Sequence, residues 1–193
     1  LRHVDTWLFD LDNTLYPASS GFMGEIETRM TTYVEGVTGL PRDEAYKLQK
    51  KYLADYGLTL GGLVAHHGVD PGDFHTIFHD LPLDILAHDA ALLAALERLP
   101  GRRLIFTNAD DVHARRVLDH LALSHLFSEI FHIGSADYVP KPDPATFAKI
   151  SADHLLDPAK TIFFEDSERN LAPAAAIGMT TVLPLYVQGV MGR

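Results

Sequence analysis

Thr6-Trp7-Leu8-Phe9-Asp10-Leu11-Asp12-Asn13-Thr14 is the stretch that decides the fold. It opens as a bulky, largely apolar run without alternation, then presents two carboxylates two residues apart. A short run with no polar face suits a strand of a parallel sheet covered on both sides. A carboxylate where such a strand stops lies at the carboxyl edge, where open α/β sheets bind their ligands. Four more runs share the pattern: Arg103-Leu104-Ile105-Phe106-Thr107, Glu129-Ile130-Phe131-His132-Ile133, Thr161-Ile162-Phe163-Phe164-Glu165 and Thr180-Thr181-Val182-Leu183.

Helical patterns separate these runs. Residues 90–99 are rich in Ala and Leu and stop at Pro100-Gly101. Residues 110–122 begin with acids, as a helix N-terminus prefers. Residues 144–155 carry Pro near their start, and residues 170–177 are stopped by Gly178. Strands alternating with helices predict an α/β fold, a three-layer Rossmann-like parallel sheet. Strands one, two and four end in chemistry-bearing residues, so strand one should lie between the other two. Right-handed crossovers then give the order 3-2-1-4-5.

One stretch breaks the alternation. Residues 17–89 contain no convincing strand; helical patterns at 23–37, 43–56, 60–67 and 71–78 are punctuated by Gly39-Leu40-Pro41, Gly57, Gly68 and Pro71-Gly72. The expected organisation is a core of residues 1–16 and 90–193, with an all-helical module of residues 17–89 inserted after strand one. Its hinges are expected at 17–20 and 81–84.

Composition narrows the chemistry. The chain has 193 residues, 47% hydrophobic and 22% charged, as an ordinary folded protein does. There is no Cys, which excludes disulfides, thiolate nucleophiles and Cys-based zinc sites. No apolar run reaches the ~20 residues that span a bilayer, and Leu1-Arg2-His3-Val4-Asp5 lacks the apolar core of a signal peptide. A cytoplasmic protein without a membrane partner is expected. Sixteen Lys and Arg stand against 26 Asp and Glu, for a net charge of −10. That balance argues against nucleic-acid polymers as partners. It also means that an anionic ligand needs locally concentrated positive charge. No Gly-x-Gly-x-x-Gly motif follows strand one and there is no P-loop. The 11 His residues include no metal-binding spacing; of the adjacent His66 and His67, either is a candidate to face substrate from the insert.

The candidate site gathers at strand ends: Asp10 and Asp12 after strand one, Thr107 and Asn108 after strand two, Lys141 in the loop after strand three, and Glu165-Asp166-Ser167 after strand four. Asp10 and Asp12, with Asp166, form an all-oxygen set that favours Mg²⁺ over zinc. A carboxylate is a competent nucleophile toward phosphorus. Mg²⁺ and Lys141 would offset its repulsion from an anionic ester. Thr107 and Asn108 can donate hydrogen bonds to phosphate oxygens, and Asp12 can protonate the leaving alcohol and then deprotonate water. Glu165 is expected beside the metal's ligands or as a cap of the following helix.

Taken in order, these motifs resemble the haloacid dehalogenase superfamily. The resemblance covers the chain outside the helical module, and that module resembles the helical cap of subclass C1. It implies that Asp10 is the nucleophile and Asp12 the acid/base. Magnesium would be held by Asp10, the backbone carbonyl of Asp12 and Asp166, with Glu165, Ser167 and Asn170 around them. Dehalogenases of the family lack a carboxylate at the position of Asp12, because a halide leaves without a proton; Asp12 therefore favours phosphoryl chemistry. A narrower resemblance rests on Phe9-Asp10-Leu11-Asp12-Asn13-Thr14-Leu15-Tyr16-Pro17, Tyr56-Gly57-Leu58-Thr59, Phe106-Thr107-Asn108-Ala109 and Phe164-Glu165-Asp166-Ser167-Glu168-Arg169-Asn170-Leu171. These look like the pyrimidine 5′-nucleotidase branch, in which Glu165 and Asn170 stand where many other members carry Asp. The expectation is a Mg²⁺-dependent phosphomonoesterase of small phosphate esters, nucleoside 5′-monophosphates first. A sugar phosphatase or phosphomutase is the alternative, and a phosphate-binding protein without turnover comes third.

Overall fold

The strand β1, Thr6–Phe9, is buried along its whole length, because it is the central member of a five-stranded parallel sheet. Its neighbours are β2, Arg102–Phe106, and β4, Thr161–Phe164; β3, Glu129–Phe131, and β5, Thr180–Val182, close the edges. The order is β3-β2-β1-β4-β5, as the sequence predicts. The computed structural model describes residues 3–184; Leu1, Arg2 and residues 185–193, which fall within the expected core, lie outside the described residues.

Register brings the chemistry together. Phe9 pairs with Ile105 on one side and with Phe164 on the other. The next residues are held by one more ladder bond each: Asp10 donates its N–H to Phe164, Thr107 to Phe131 and Glu165 to Val182. Three side chains from distant parts of the chain thus emerge on one rim.

The two-residue period of the strands sorts their side chains into two cores. Leu8, Leu104, Phe106, Phe131 and Phe163 face one side, packed with Phe147 and Ile150 of helix α7, Pro144–Asp153, and Ala174 of helix α8, Glu168–Ala176. Among the described residues the remaining core α-helices, numbered with the others in chain order, are α5, Ala90–Glu97, and α6, Asp111–His120. Trp7, Phe9, Ile105 and Ile162 face the opposite side with Ala114, Val117 and Leu118 of α6. Asp89, Asp110 and Asp143 start α5, α6 and α7, each accepting backbone N–H bonds.

Between β1 and α5 lie four consecutive helices and no strand: α1, Phe22–Thr38; α2, Arg42–Tyr56; α3, Thr59–His67; and α4, Pro71–Thr76. Their buried residues Phe22, Leu63 and Phe74 join the same core cluster as Phe9 and Val117. Gly62 is required where α3 meets α2, since a Cβ there would stand 2.1 Å from the Tyr52 ring. Helix ends differ from the sequence reading by one or two residues, and α8 begins at Glu168 rather than 170. Fraying and capping set such boundaries, not hydrophobic periodicity. Among the described residues, no helix is long and apolar enough to cross a membrane.

Candidate active site

The loop after β1 is shaped by its own backbone. Thr14 and Leu15 both donate to the Leu11 carbonyl, at 3.2 and 2.9 Å, so the chain turns at once. Asn13 sits in the left-handed region with φ of 63°, which Asn tolerates better than most residues. The backbone N–H of Asp166 donates to the Thr14 hydroxyl at 3.2 Å and ties the β4 tip to this turn.

Lys141 enters from the loop after β3 and is fixed by Asn108. Its N–H donates to Asn108 Oδ1 at 2.8 Å, and Asn108 Nδ2 donates to its carbonyl at 3.1 Å. The side chain then runs inward until it is 2% exposed. Nζ donates to Asp10 Oδ1 at 2.8 Å, Glu165 Oε2 at 2.7 Å and the Phe106 carbonyl at 2.7 Å. Those three bonds use every ammonium hydrogen, and the Phe106 and Phe163 rings lie 4.9 and 5.3 Å from the nitrogen.

Around this cation stands an excess of acid. Ligand oxygens of Asp10, Glu165 and Asp166 lie within 4.8 Å of one another. Burial pushes the Asp10 carboxyl up to about 7; Lys141 opposes the rise, while Glu165 and Asp12 add to it. Burial also raises Glu165, again against Lys141. The lysine is disfavoured by burial, but Asp10 and Glu165 outweigh that and keep its ammonium charged. One ammonium cannot balance three carboxylates, and the surplus of hard oxygen donors fits a divalent cation such as Mg²⁺.

Asp12 lines the same cavity but its carboxylate is engaged elsewhere. Its Oδ1 accepts from the Tyr16 hydroxyl at 2.7 Å and from His113 Nε2 at 3.1 Å. Burial works against ionisation of both Asp12 and His113. Their mutual attraction overcomes it, lowering the carboxyl and raising the imidazole.

The structure brings Asp10, Asp12, Thr107, Asn108, Lys141, Glu165, Asp166 and Asn170 around one cavity of about 290 Å³. Ser167 is not on its wall; it contributes a backbone N–H to Glu165 Oε1 at 3.1 Å. Glu165 therefore both meets Lys141 and braces the start of α8. The amide of Asn108 is engaged with the lysine backbone, so its visible part is to hold Lys141, beyond the phosphate donation expected of it. The carboxylate cluster consists of Asp10, Glu165 and Asp166; the Asp12 side chain goes to Tyr16 and His113, and the part expected of Asp12 toward magnesium is that of its backbone carbonyl.

The opposite wall comes from the helical insert: Met23, Ile26, Met30, Leu58, Phe74 and His75. His66 and His67 are absent from it. They bond to the hydroxyls of Tyr56 and Tyr52 on α2, at 2.7 and 2.9 Å. The imidazole on this wall is His75, whose buried Nε2 has no partner among the described residues. His79 bonds to Asp110 at 2.8 Å, joining the insert to the start of α6. Sequence reasoning missed Tyr16, His75, Asp110 and His113. Only Tyr16 left a signal: it stands four residues after Asp12, next to it across one turn. His113 lies 101 residues from its partner.

A family model described as haloacid dehalogenase-like hydrolase matches residues 4–178. The chain is 31% identical over 196 residues to Phosphate metabolism protein 8 of Saccharomyces cerevisiae. That match covers 93% of this chain and 61% of the yeast protein, so the chain spans about three fifths of the length of that curated relative. A crystal structure of a HAD phosphatase from Thermococcus onnurineus superposes with a TM-score of 0.64 at 20% identity, covering 98% of this chain and 89% of that one. A HAD family enzyme from Bacteroides thetaiotaomicron, an aspartate-to-alanine mutant in complex with magnesium and inorganic phosphate, superposes with a TM-score of 0.56. It is 18% identical, with 97% of each chain covered. At such identities these structures speak for the fold.

Proposed function

This chain belongs to the haloacid dehalogenase-like hydrolase family, and from that premise we propose that it is a magnesium-dependent phosphomonoesterase working through a phospho-aspartate. The observation that carries the reading is the buried Lys141 ammonium bridging Asp10 and Glu165 beside Asp166, with Asp12 on the same cavity. Asp10, Glu165 and Asp166, with the backbone of Asp12, would hold Mg²⁺, which supplies Lewis-acid charge neutralisation when bound.

A carboxylate oxygen of Asp10 attacks phosphorus and the bond to the leaving oxygen breaks. Lys141 offsets the repulsion between nucleophile and ester. The incoming anion raises negative charge beside Asp12 and favours its protonated form, which gives its proton to the leaving alkoxide. Asp12 then takes a proton from water as water attacks the acyl phosphate. Phosphate leaves and Asp10 is restored. Thr107 and Asn108 border the place of the phosphoryl oxygens.

The helical insert acts as a cap that selects the leaving group. Its wall of Met, Ile, Leu and Phe with the single imidazole of His75 suits a flat body carrying a few polar atoms. Together with the motif resemblance, this supports nucleoside 5′-monophosphates, pyrimidines first. The test is phosphate release from UMP, CMP, AMP, phosphoglycolate and hexose phosphates, with and without Mg²⁺. Hydrolysis that needs Mg²⁺ and prefers UMP and CMP is expected. Preference for a sugar phosphate would overturn the nucleotide assignment alone; no release from any ester would overturn the phosphatase reading.

A further inference from the structure

Asp12 offers two oxygens, and the structure treats them unequally. Oδ1 accepts from both Tyr16 and His113, whereas among the described residues Oδ2 accepts from neither of them. Both donors are buried, Tyr16 at 2% and His113 at 3% exposure. They arrive from unrelated places, Tyr16 from the turn after β1 and His113 from the first turns of α6.

A third ring holds the two donors in position. Phe22, the first residue of α1, is fully buried. It meets Tyr16 edge-on at 5.8 Å and lies parallel to His113, 12° between planes, at 5.9 Å. The other nitrogen of His113, Nδ1, is buried and has no partner among the described residues. Such a group is disfavoured in a protein interior, so the imidazole is not kept there by a second polar contact. Its one hydrogen bond among the described residues goes to Asp12.

We propose that Tyr16 and His113 are positioning residues for proton transfer: by occupying Oδ1 of Asp12 they reserve Oδ2 for the leaving oxygen and then for water. A carboxylic acid whose carbonyl oxygen accepts two hydrogen bonds carries its proton on the other oxygen. With Oδ1 so occupied, the acid proton sits on Oδ2, and Asp12 is among the residues that line the cavity. The Oδ2–H bond breaks as the O–H bond of the alcohol forms, and Oδ2 regains a proton from water in the second step. The same three rings make the first residue of α1 part of the acid's support, so this insert helix and the acid are built together. This inference rests on the phosphatase reading.

Leaving-group dependence separates positioning from mere scaffolding. An alkoxide needs the proton as it departs, and p-nitrophenolate does not. Single turnovers with Mg²⁺ and enzyme in excess report the first step, comparing an alkyl phosphate with p-nitrophenyl phosphate. Tyr16→Phe and His113→Ala are expected to slow the alkyl ester by about 10- to 100-fold, a part of the roughly 10²- to 10⁴-fold that general acid catalysis supplies. Their loss on the nitrophenyl ester should be at least ~10-fold smaller, with substrate affinity unchanged in both. His113→Gln, whose amide nitrogen reaches near the place of Nε2, should recover most of the alkyl rate. Equal losses on both esters, or no loss on the alkyl ester in variants that melt as the wild type does, would overturn the positioning role. A wild-type protein inert toward both esters would instead overturn the phosphatase reading, and this role with it.

Discussion

The cavity has two walls built on opposite principles. On the strand side, Lys141, Glu165 and Asp10 are 2%, 1% and 7% exposed and linked to one another, while Asp166 beside them is exposed. On the insert side, apolar chains meet by shape, and two of them are methionines, which adapt to their neighbours. This buried charge network depends on its one cation, because the acids left behind by its loss have neither water nor counter-charge. An apolar wall tolerates exchange of one side chain for another of similar volume. Fixed chemistry and adjustable selection can thus occupy one cavity.

That contrast can be broken or sharpened by substitution. The largest effect is expected for Asp10→Asn, which removes the proposed nucleophile yet keeps an acceptor for Lys141. Phosphate release should fall by about 10⁴ or more, while thermal unfolding shows the fold retained or slightly steadier, one crowded acid being gone. Retained turnover would remove Asp10 from the nucleophile's role.

Next comes Lys141→Met, which leaves Asp10 and Glu165 facing each other without a cation. A loss of about 3–5 kcal/mol is expected, read by denaturant unfolding. The sign of its pH dependence follows from the same burial. Both carboxyls already lie above their ordinary values in the fold, where burial favours the protonated form, and removing the ammonium raises them further. The folded variant then binds more protons than its unfolded chain, so the deficit should shrink as pH falls from 8 toward 5. A deficit independent of pH would contradict the charge-network description.

The smallest effect is expected on the other wall. Met30→Ala removes a partly buried side chain that touches the cavity. It should change the ratio of rates between two nucleotides by about 10-fold, within the 1–3 kcal/mol that apolar pocket contacts discriminate. Its rate on p-nitrophenyl phosphate should hold within a few-fold. A loss as deep as that of Asp10→Asn would erase the distinction between the walls.

The strand wall was legible in the sequence because it is written locally. Each strand is a short run rich in bulky apolar residues, and the three central ones are followed by a residue whose type is wrong for a core: Asp10, Thr107, Glu165. Parallel packing and right-handed crossovers then leave little choice of order. Lys141 could be placed near them from its loop alone, yet its burial and three bonds could not. They arise from Asn108 clamping its backbone and from two aromatic rings beneath the ammonium. His66 and His67 show the opposite failure. They invite a role in binding, but α2 supplies two tyrosine hydroxyls that take them away from the cavity.

What the sequence determined by itself is the sheet, its order and the identity of the acids on its rim, because strand period, chain direction and handedness act over short stretches and add up. What only the tertiary structure decided is how those acids are partnered. His113 meets Asp12 across 101 residues, Phe22 wedges between that imidazole and Tyr16, and His75 reaches the cavity from a helix of six residues. Such contacts depend on the distance and angle between packed elements, and no local pattern of residues encodes those.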